Sequence, residues 1–109
     1  MATLDLPEGY RRQLLDLFRQ HIPGAEVLAY GSRLNGGSHP TSDLDLVVRD
    51  PADPLRAQET LWRLRDALSE SDIPILVDLL DWSRIPQSFR DEIARAHVVF
   101  YPVAKETTT

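Results

Sequence analysis

The 109-residue chain contains no cysteine, which removes disulfides and thiolate metal sites from consideration. It has no apolar run long enough to cross a bilayer. Its amino terminus lacks the charged-then-apolar pattern of a secretory signal. These absences make the cytoplasm the expected compartment, with no membrane partner. Basic residues are in the minority, 12 Lys and Arg against 17 Asp and Glu, for a net charge of −5. A broad, stable nucleic-acid interface needs the opposite balance, so none is expected. A single nucleotide arriving with its own divalent cation is compatible with this charge. No internal repeat or low-complexity tract occurs apart from the polar ending Lys105-Glu106-Thr107-Thr108-Thr109.

What is present suits one small domain. Apolar residues make up 42% and charged residues 27%, the composition of a soluble globule with an ordinary core. We read residues 1–104 as the domain and 105–109 as a tail that frays. Pro7 and Glu8 open a helix whose apolar spacing runs through Tyr10, Leu14, Leu17 and Phe18 and stops at Pro23-Gly24. Residues 26–30 form a short buried strand running into Gly31, and residues 43–48 a second. Asp53 and Pro54 read as the cap and first residue of a helix reaching about Glu70, with a stripe of Ala57, Leu61, Leu64 and Leu68. Residues 75–80 are aliphatic on both sides, as in a central strand covered on both faces. A helix from Pro86 to about Ala96 and a strand over residues 98–101 complete an α/β order.

The chemistry concentrates in YGSRLNGGSHPTSDLDLVV, residues 30–48, and in Asp78. Side chains alternate along a strand, so Asp43 and Asp45 share a face, about 7 Å apart. Asp78 interrupts a third strand in the same way. Ionised carboxylates among aliphatics are costly unless compensated, and Mg²⁺, which prefers oxygen ligands, compensates them. Gly31-Ser32, leaving a strand and opening a short helix, offers backbone N–H groups and a hydroxyl to phosphate. The loop is not a P-loop, because Gly37 stands where that motif requires lysine. Asp81, three residues past Asp78, falls on the opposite strand face and suits a cap or turn, and Asp50 and Asp53 belong to a turn. His21, His39 and His97 show no mutual metal-ligand spacing. His39 lies in the loop beside the motif, where a substrate contact is open to it. Trp62 and Trp82 read as packing residues, with a partner role left open for Trp82.

Taken together, Gly31-Ser32-Arg33-x-x-Gly36, Ser42-Asp43-Leu44-Asp45-Leu46 and Val77-Asp78-Leu79 resemble the polymerase-β-type nucleotidyltransferases. More narrowly, they resemble the minimal nucleotidyltransferases, which include the antitoxins of HEPN–MNT toxin–antitoxin pairs. The resemblance spans about residues 27–80. It implies an α/β (α+β) fold, a small mixed β-sheet packed against helices. It also implies that Asp43, Asp45 and Asp78 bind two Mg²⁺ ions, with Asp78 helping to deprotonate the incoming hydroxyl. Gly31 and Ser32 would hold the terminal phosphates of ATP, Arg33 would neutralise phosphate charge, and Gly36 and Ser42 would belong to the same nucleotide-binding set. The implied activity is transfer of AMP from ATP to a protein hydroxyl, a tyrosine of a cognate HEPN RNase toxin.

Antibiotic nucleotidyltransferases carry an additional helical domain that helps build the acceptor site, so here the acceptor surface is expected on another polypeptide. Two other readings remain at this point. One is a binding module that neutralises a toxin by occlusion. The other is transfer to a small-molecule hydroxyl.

Overall fold

A computed structural model of the chain describes residues 4–34 and 43–102. Helix α1 (Glu8–His21) starts where Pro7 takes the N-cap position and Glu8 places an acid in the first turn, favourable at the positive end of the dipole. Leu14, Leu15 and Phe18 are its buried face. The Ile22 N–H closes it on the Phe18 carbonyl at 2.8 Å, and Pro23-Gly24 redirects the chain into β1 (Glu26–Tyr30). A single 3₁₀ turn, Gly31–Arg33, follows. Strand β2 (Leu44–Arg49), helix α2 (Leu61–Ser69), strand β3 (Val77–Asp81), a second 3₁₀ turn (Trp82–Arg84), helix α3 (Gln87–Arg95) and strand β4 (Val98–Tyr101) complete the order.

The four strands lie in the order β3-β2-β1-β4. Strand β1 is antiparallel to both β2 and β4, whereas β2 and β3 are parallel. A parallel pair needs a crossover connection, and α2 lies in it. Alternation along the strands divides the interior in two. Val27, Ala29, Leu44, Leu46, Val48 and Leu79 face α1 and α2, where they meet Leu14, Phe18 and Leu64. Leu28 and Val47 face the other way, onto Trp82 and Ile93, in a smaller cluster rimmed by partly buried Tyr30, Leu80 and Phe89.

A register shift in the β1–β4 ladder, between Val27 and Leu28, leaves Phe100 as an extra residue opposite them. Consecutive Phe100 and Tyr101 therefore both reach the larger core, with ring centroids 5.5 and 5.7 Å from Phe18.

Four sequence-based expectations are corrected: the helix from Pro54, the central third strand, the start of the second strand and the packing of Trp62. The helix expected from Pro54 begins instead at Leu61, and residues 51–60 are turn and irregular chain. The Asp50 carboxylate accepts from the Ala52 and Asp53 N–H groups at 2.9 and 3.4 Å, an Asx-type turn that competes with helix. The Gln58 N–H goes to the Asp81 carboxylate at 2.9 Å. Ala57 is exposed accordingly, while Leu61 and Leu64 are buried as expected.

The third strand is not central. Among the described residues it is an edge of the sheet, and Leu76 just before it is 73% exposed. Arg65 covers part of that edge by donating to the Leu79 carbonyl at 2.7 Å. The second strand starts one residue late, at Leu44, so Asp43 stands outside it. Trp82 is a packing residue, buried with the Arg49 guanidinium 4.9 Å from its ring. Trp62 is 55% exposed. Among the described residues no helix is long and apolar enough to cross a membrane.

Asp81 fastens the chain after β3 to the segment before α2. Its buried carboxylate accepts from the Gln58 N–H, the Ser83 N–H and the Ser83 hydroxyl. Burial alone would raise its proton affinity, but these bonds and the Arg84 charge outweigh burial and hold it below the usual carboxylate range. The stabilisation is present above the ordinary aspartate pKa and is lost as pH falls through the lower folded-state value. Asp81→Ala should cost about 1–3 kcal/mol by urea unfolding at neutral pH, and the difference from wild type should shrink on acidification.

Candidate active site

Register brings the motif residues together at one end of the sheet. Tyr30, the last residue of β1, is the cross-strand partner of Asp45, and Asp45 is the partner of Asp78 on β3. Adjacent strands lie about 4.8 Å apart, so Tyr30, Asp45 and Asp78 stand in a row. All three share the face of Leu28, Val47 and Leu80, each two residues along its own strand. That face carries the smaller apolar cluster, and at this end the cluster stops short of the carboxylates.

Gly31 begins the turn beside them. Its φ is +84°, a region that L-residues with a Cβ rarely enter. A Cβ there would collide with Oδ2 of Asp45. The glycine is thus required twice, by its own backbone and by the carboxylate against it. Asp45 is pushed above the usual carboxylate range by burial first, then by the charges of Asp78 and Asp43. The Tyr30 phenol is pushed up by burial, then by Asp45 and Asp78. Negative charge is concentrated here, and cations are the species it favours.

The other motif residues are less uniform. Asp43, one residue ahead of β2, is exposed and lines a cleft with Tyr10, Arg33 and Leu76. Arg33 is 3% exposed, and its Nη1 donates to the Asp5 carbonyl at 3.1 Å. The Asp5 N–H bonds back to the Arg33 carbonyl at 2.6 Å, so this arginine ties the amino-terminal segment to the turn. Ser32 sits in the 3₁₀ turn by its backbone. Gly36, His39 and Ser42 lie outside the described residues, as does the 105–109 tail.

Among the described residues no three carboxylate or imidazole side chains converge as a ready-made metal cage. The donor set is nonetheless all hard oxygen, which suits Mg²⁺ completed by phosphate oxygens and water. A separate concavity lined by Ile22, Asp50 and Arg56 lies at the opposite end of the sheet, away from this chemistry.

Tyr30 was not singled out from sequence. The available signal was its position: it ends an apolar strand immediately before Gly-Ser, and only pairing with Asp45 reveals its neighbours.

Residues 2–93 match the family model described as the central palm domain of mitochondrial-like poly(A) RNA polymerase. Over 100 residues the chain is 38% identical to a Haemophilus influenzae protein named as a probable protein adenylyltransferase MntA, covering 90% of this chain and 84% of that one. Two solved structures share the fold. One is a toxin–antitoxin crystal structure with AMP-PNP, at TM-score 0.67 and 20% identity. The other is a mutant MntA–HpeT toxin–antitoxin, at TM-score 0.66 and 18% identity. Each similarity covers 88% of this chain and 76% of the other.

The crowded charge has a thermodynamic consequence. Because folding raises the Asp45 pKa, its ionisation opposes folding increasingly as pH rises through the folded-state value. In metal-free buffer at neutral pH, Asp45→Asn should therefore melt higher than wild type in a thermal scan, with the gain vanishing below the ordinary aspartate pKa. Gly31→Ala should lose at least about 1–2 kcal/mol in urea unfolding, the cost of forcing a Cβ into left-handed backbone, with the Asp45 collision added.

Proposed function

The chain belongs to the polymerase-β-type nucleotidyltransferases, in the minimal group that includes MntA, and from that membership we propose that it is an antitoxin that transfers AMP from ATP to a tyrosine hydroxyl of a cognate HEPN RNase toxin. The observation that carries the proposal is the cross-strand pair Asp45 and Asp78, on one face and flanked by the positive-φ Gly31 turn. A sheet built only for stability gains nothing from like charges opposite each other, which are destabilising. A site for divalent cations and a triphosphate gains from that placement.

In this reading Asp43, Asp45 and Asp78 would hold two Mg²⁺ ions, which supply charge neutralisation to the triphosphate and to the attacking and leaving oxygens. The backbone of Gly31 and Ser32 would receive the terminal phosphates, with Gly36 and Ser42 in the same nucleotide-binding set. Arg33, buried against the Asp5 carbonyl, would act on that set by holding the turn in place and by its fixed positive charge. Asp78, exposed at the sheet edge, would accept the proton of the acceptor hydroxyl. The phenolic oxygen then bonds to the α-phosphorus, the α–β bridging bond breaks, and pyrophosphate leaves. Positioning and electrostatics carry most of such a reaction, so a chain of this size has the groups required. The pair would operate in the cytoplasm.

Support comes from the likeness to MntA and from two toxin–antitoxin structures of this fold. Incubating the chain with its cognate toxin, ATP and Mg²⁺ should add the mass of AMP to the toxin on intact-protein mass spectrometry. Asp43→Asn and Asp78→Asn should lower the rate by at least about 10³-fold, on the scale of removing a group that stabilises the transition state, while far-UV circular dichroism stays unchanged. Wild-type rates in either variant, or neutralisation of the toxin with no added mass, would defeat the proposal.

A further inference from the structure

In a direct displacement at phosphorus the attacking and leaving oxygens lie roughly in line. The leaving pyrophosphate belongs on the Gly31 turn, which follows β1, and the phosphorus beside Asp45 on β2 and Asp78 on β3. The sheet runs β3-β2-β1-β4. A line from the turn past the two carboxylates therefore continues across β3, which is an edge among the described residues. The acceptor oxygen enters from that side.

This edge carries exposed apolar side chains on both sides of Asp78. Leu76 stands two residues before it. The Leu76 carbonyl accepts from the Leu44 N–H at 2.8 Å, which extends the β2–β3 ladder by one residue and fixes the backbone. By alternation its side chain falls on the face of Asp78, about 7 Å away, and it is exposed. At the other end of β3, about 10 Å past Asp78, Trp62 from the first turn of α2 shares a concavity with Arg65, Asp81 and Arg84. Its indole is exposed too, with the Arg63 guanidinium 5.3 Å from the ring centroid. A leucine and a tryptophan left in water on either side of Asp78 add little to either core.

We propose that the β3 edge is the docking surface for the acceptor protein, with Leu76 packed beside the tyrosine that receives AMP and Trp62 as the anchor at the far end. The inference rests on the nucleotidyltransferase reading above and names where its acceptor binds. An interface of ordinary size covers about 800 Å² of each partner, a patch roughly 30 Å across. A protein that delivers a hydroxyl to Asp78 therefore reaches both residues. Tryptophan is among the side chains that dominate binding energy at such interfaces. A second copy of this chain fits the surface poorly. Two-fold pairing there would set Arg63, Arg65 and Arg84 against the same residues of the other copy, and it would cover Asp78. The fitting partner presents its tyrosine between apolar side chains.

The test is the toxin dependence of AMP transfer at saturating ATP and Mg²⁺, read by intact-protein mass spectrometry. Leu76→Ala and Trp62→Ala should each raise the KM for the toxin about tenfold, the loss expected of an interface anchor, with kcat within about twofold of wild type. Titration calorimetry should show ATP binding unchanged in both. Val99, exposed on β4 at the other end of the strand order, is the control, and Val99→Ala should keep the wild-type KM. A wild-type KM in either Leu76→Ala or Trp62→Ala, an equal rise in Val99→Ala, or weakened ATP binding in Leu76→Ala overturns the docking surface and leaves nucleotidyl transfer standing. Absence of AMP transfer by wild type overturns both.

Discussion

Two negative charges face each other across the β2–β3 ladder, Asp45 opposite Asp78, and much of the molecule can be understood as holding them there. Neither can be displaced by a small local adjustment. Each sits on a strand whose neighbours are packed into one core or the other, and a slip of one residue would send every side chain of the strand to the wrong face. Leu44 and Leu46 on either side of Asp45 are fully buried, each contributing about 1.5–3 kcal/mol by leaving water. That anchoring fixes Asp45 beside Asp78 despite the repulsion, and the cost is registered as a raised proton affinity at Asp45.

The two faces of the sheet divide the labour. Helices α1 and α2 cover one face with the larger core, where Phe18 packs against both Phe100 and Tyr101 through the bulge. The other face has the smaller cluster around Leu28, Val47, Trp82 and Ile93. Its cover is fastened by polar bonds as well as packing: Arg90 donates to the carbonyls of Trp82 and Ser83, and Asp81 gathers Gln58 and Ser83. Among the described residues this cover does not extend over Asp78, which is exposed. The two cores are thus unequal, and β3, with Asp78 exposed on it, lies at an edge of the described sheet.

Legibility in the sequence followed the range of the forces involved. Helices α1 and α3 and strands β1 and β4 were readable because periodicity and Gly or Pro punctuation act within a few residues. Asp53-Pro54 is an equally good local helix start, yet it failed: the Asp50 carboxylate and the distant Asp81 took backbone N–H groups from that stretch. The aliphatic run before Leu80 could not disclose that β3 is an edge, since strand order depends on which strands find each other. The extra residue at Phe100 and the burial of Arg33 against Asp5 were hidden for the same reason. Each rests on partners remote in the chain.

The sequence by itself determined the chemistry: which side chains carry charge among aliphatics, where a glycine precedes Ser32, and the motif spacing that places the chain among nucleotidyltransferases. Those are properties of residue type and short separations. Only the tertiary structure decided that Asp45 lies directly across from Asp78, that Tyr30 joins their row and meets Phe89 edge to face, and that Arg33 turns inward. Those facts require strand register and helix docking, which are settled jointly by residues far apart in sequence.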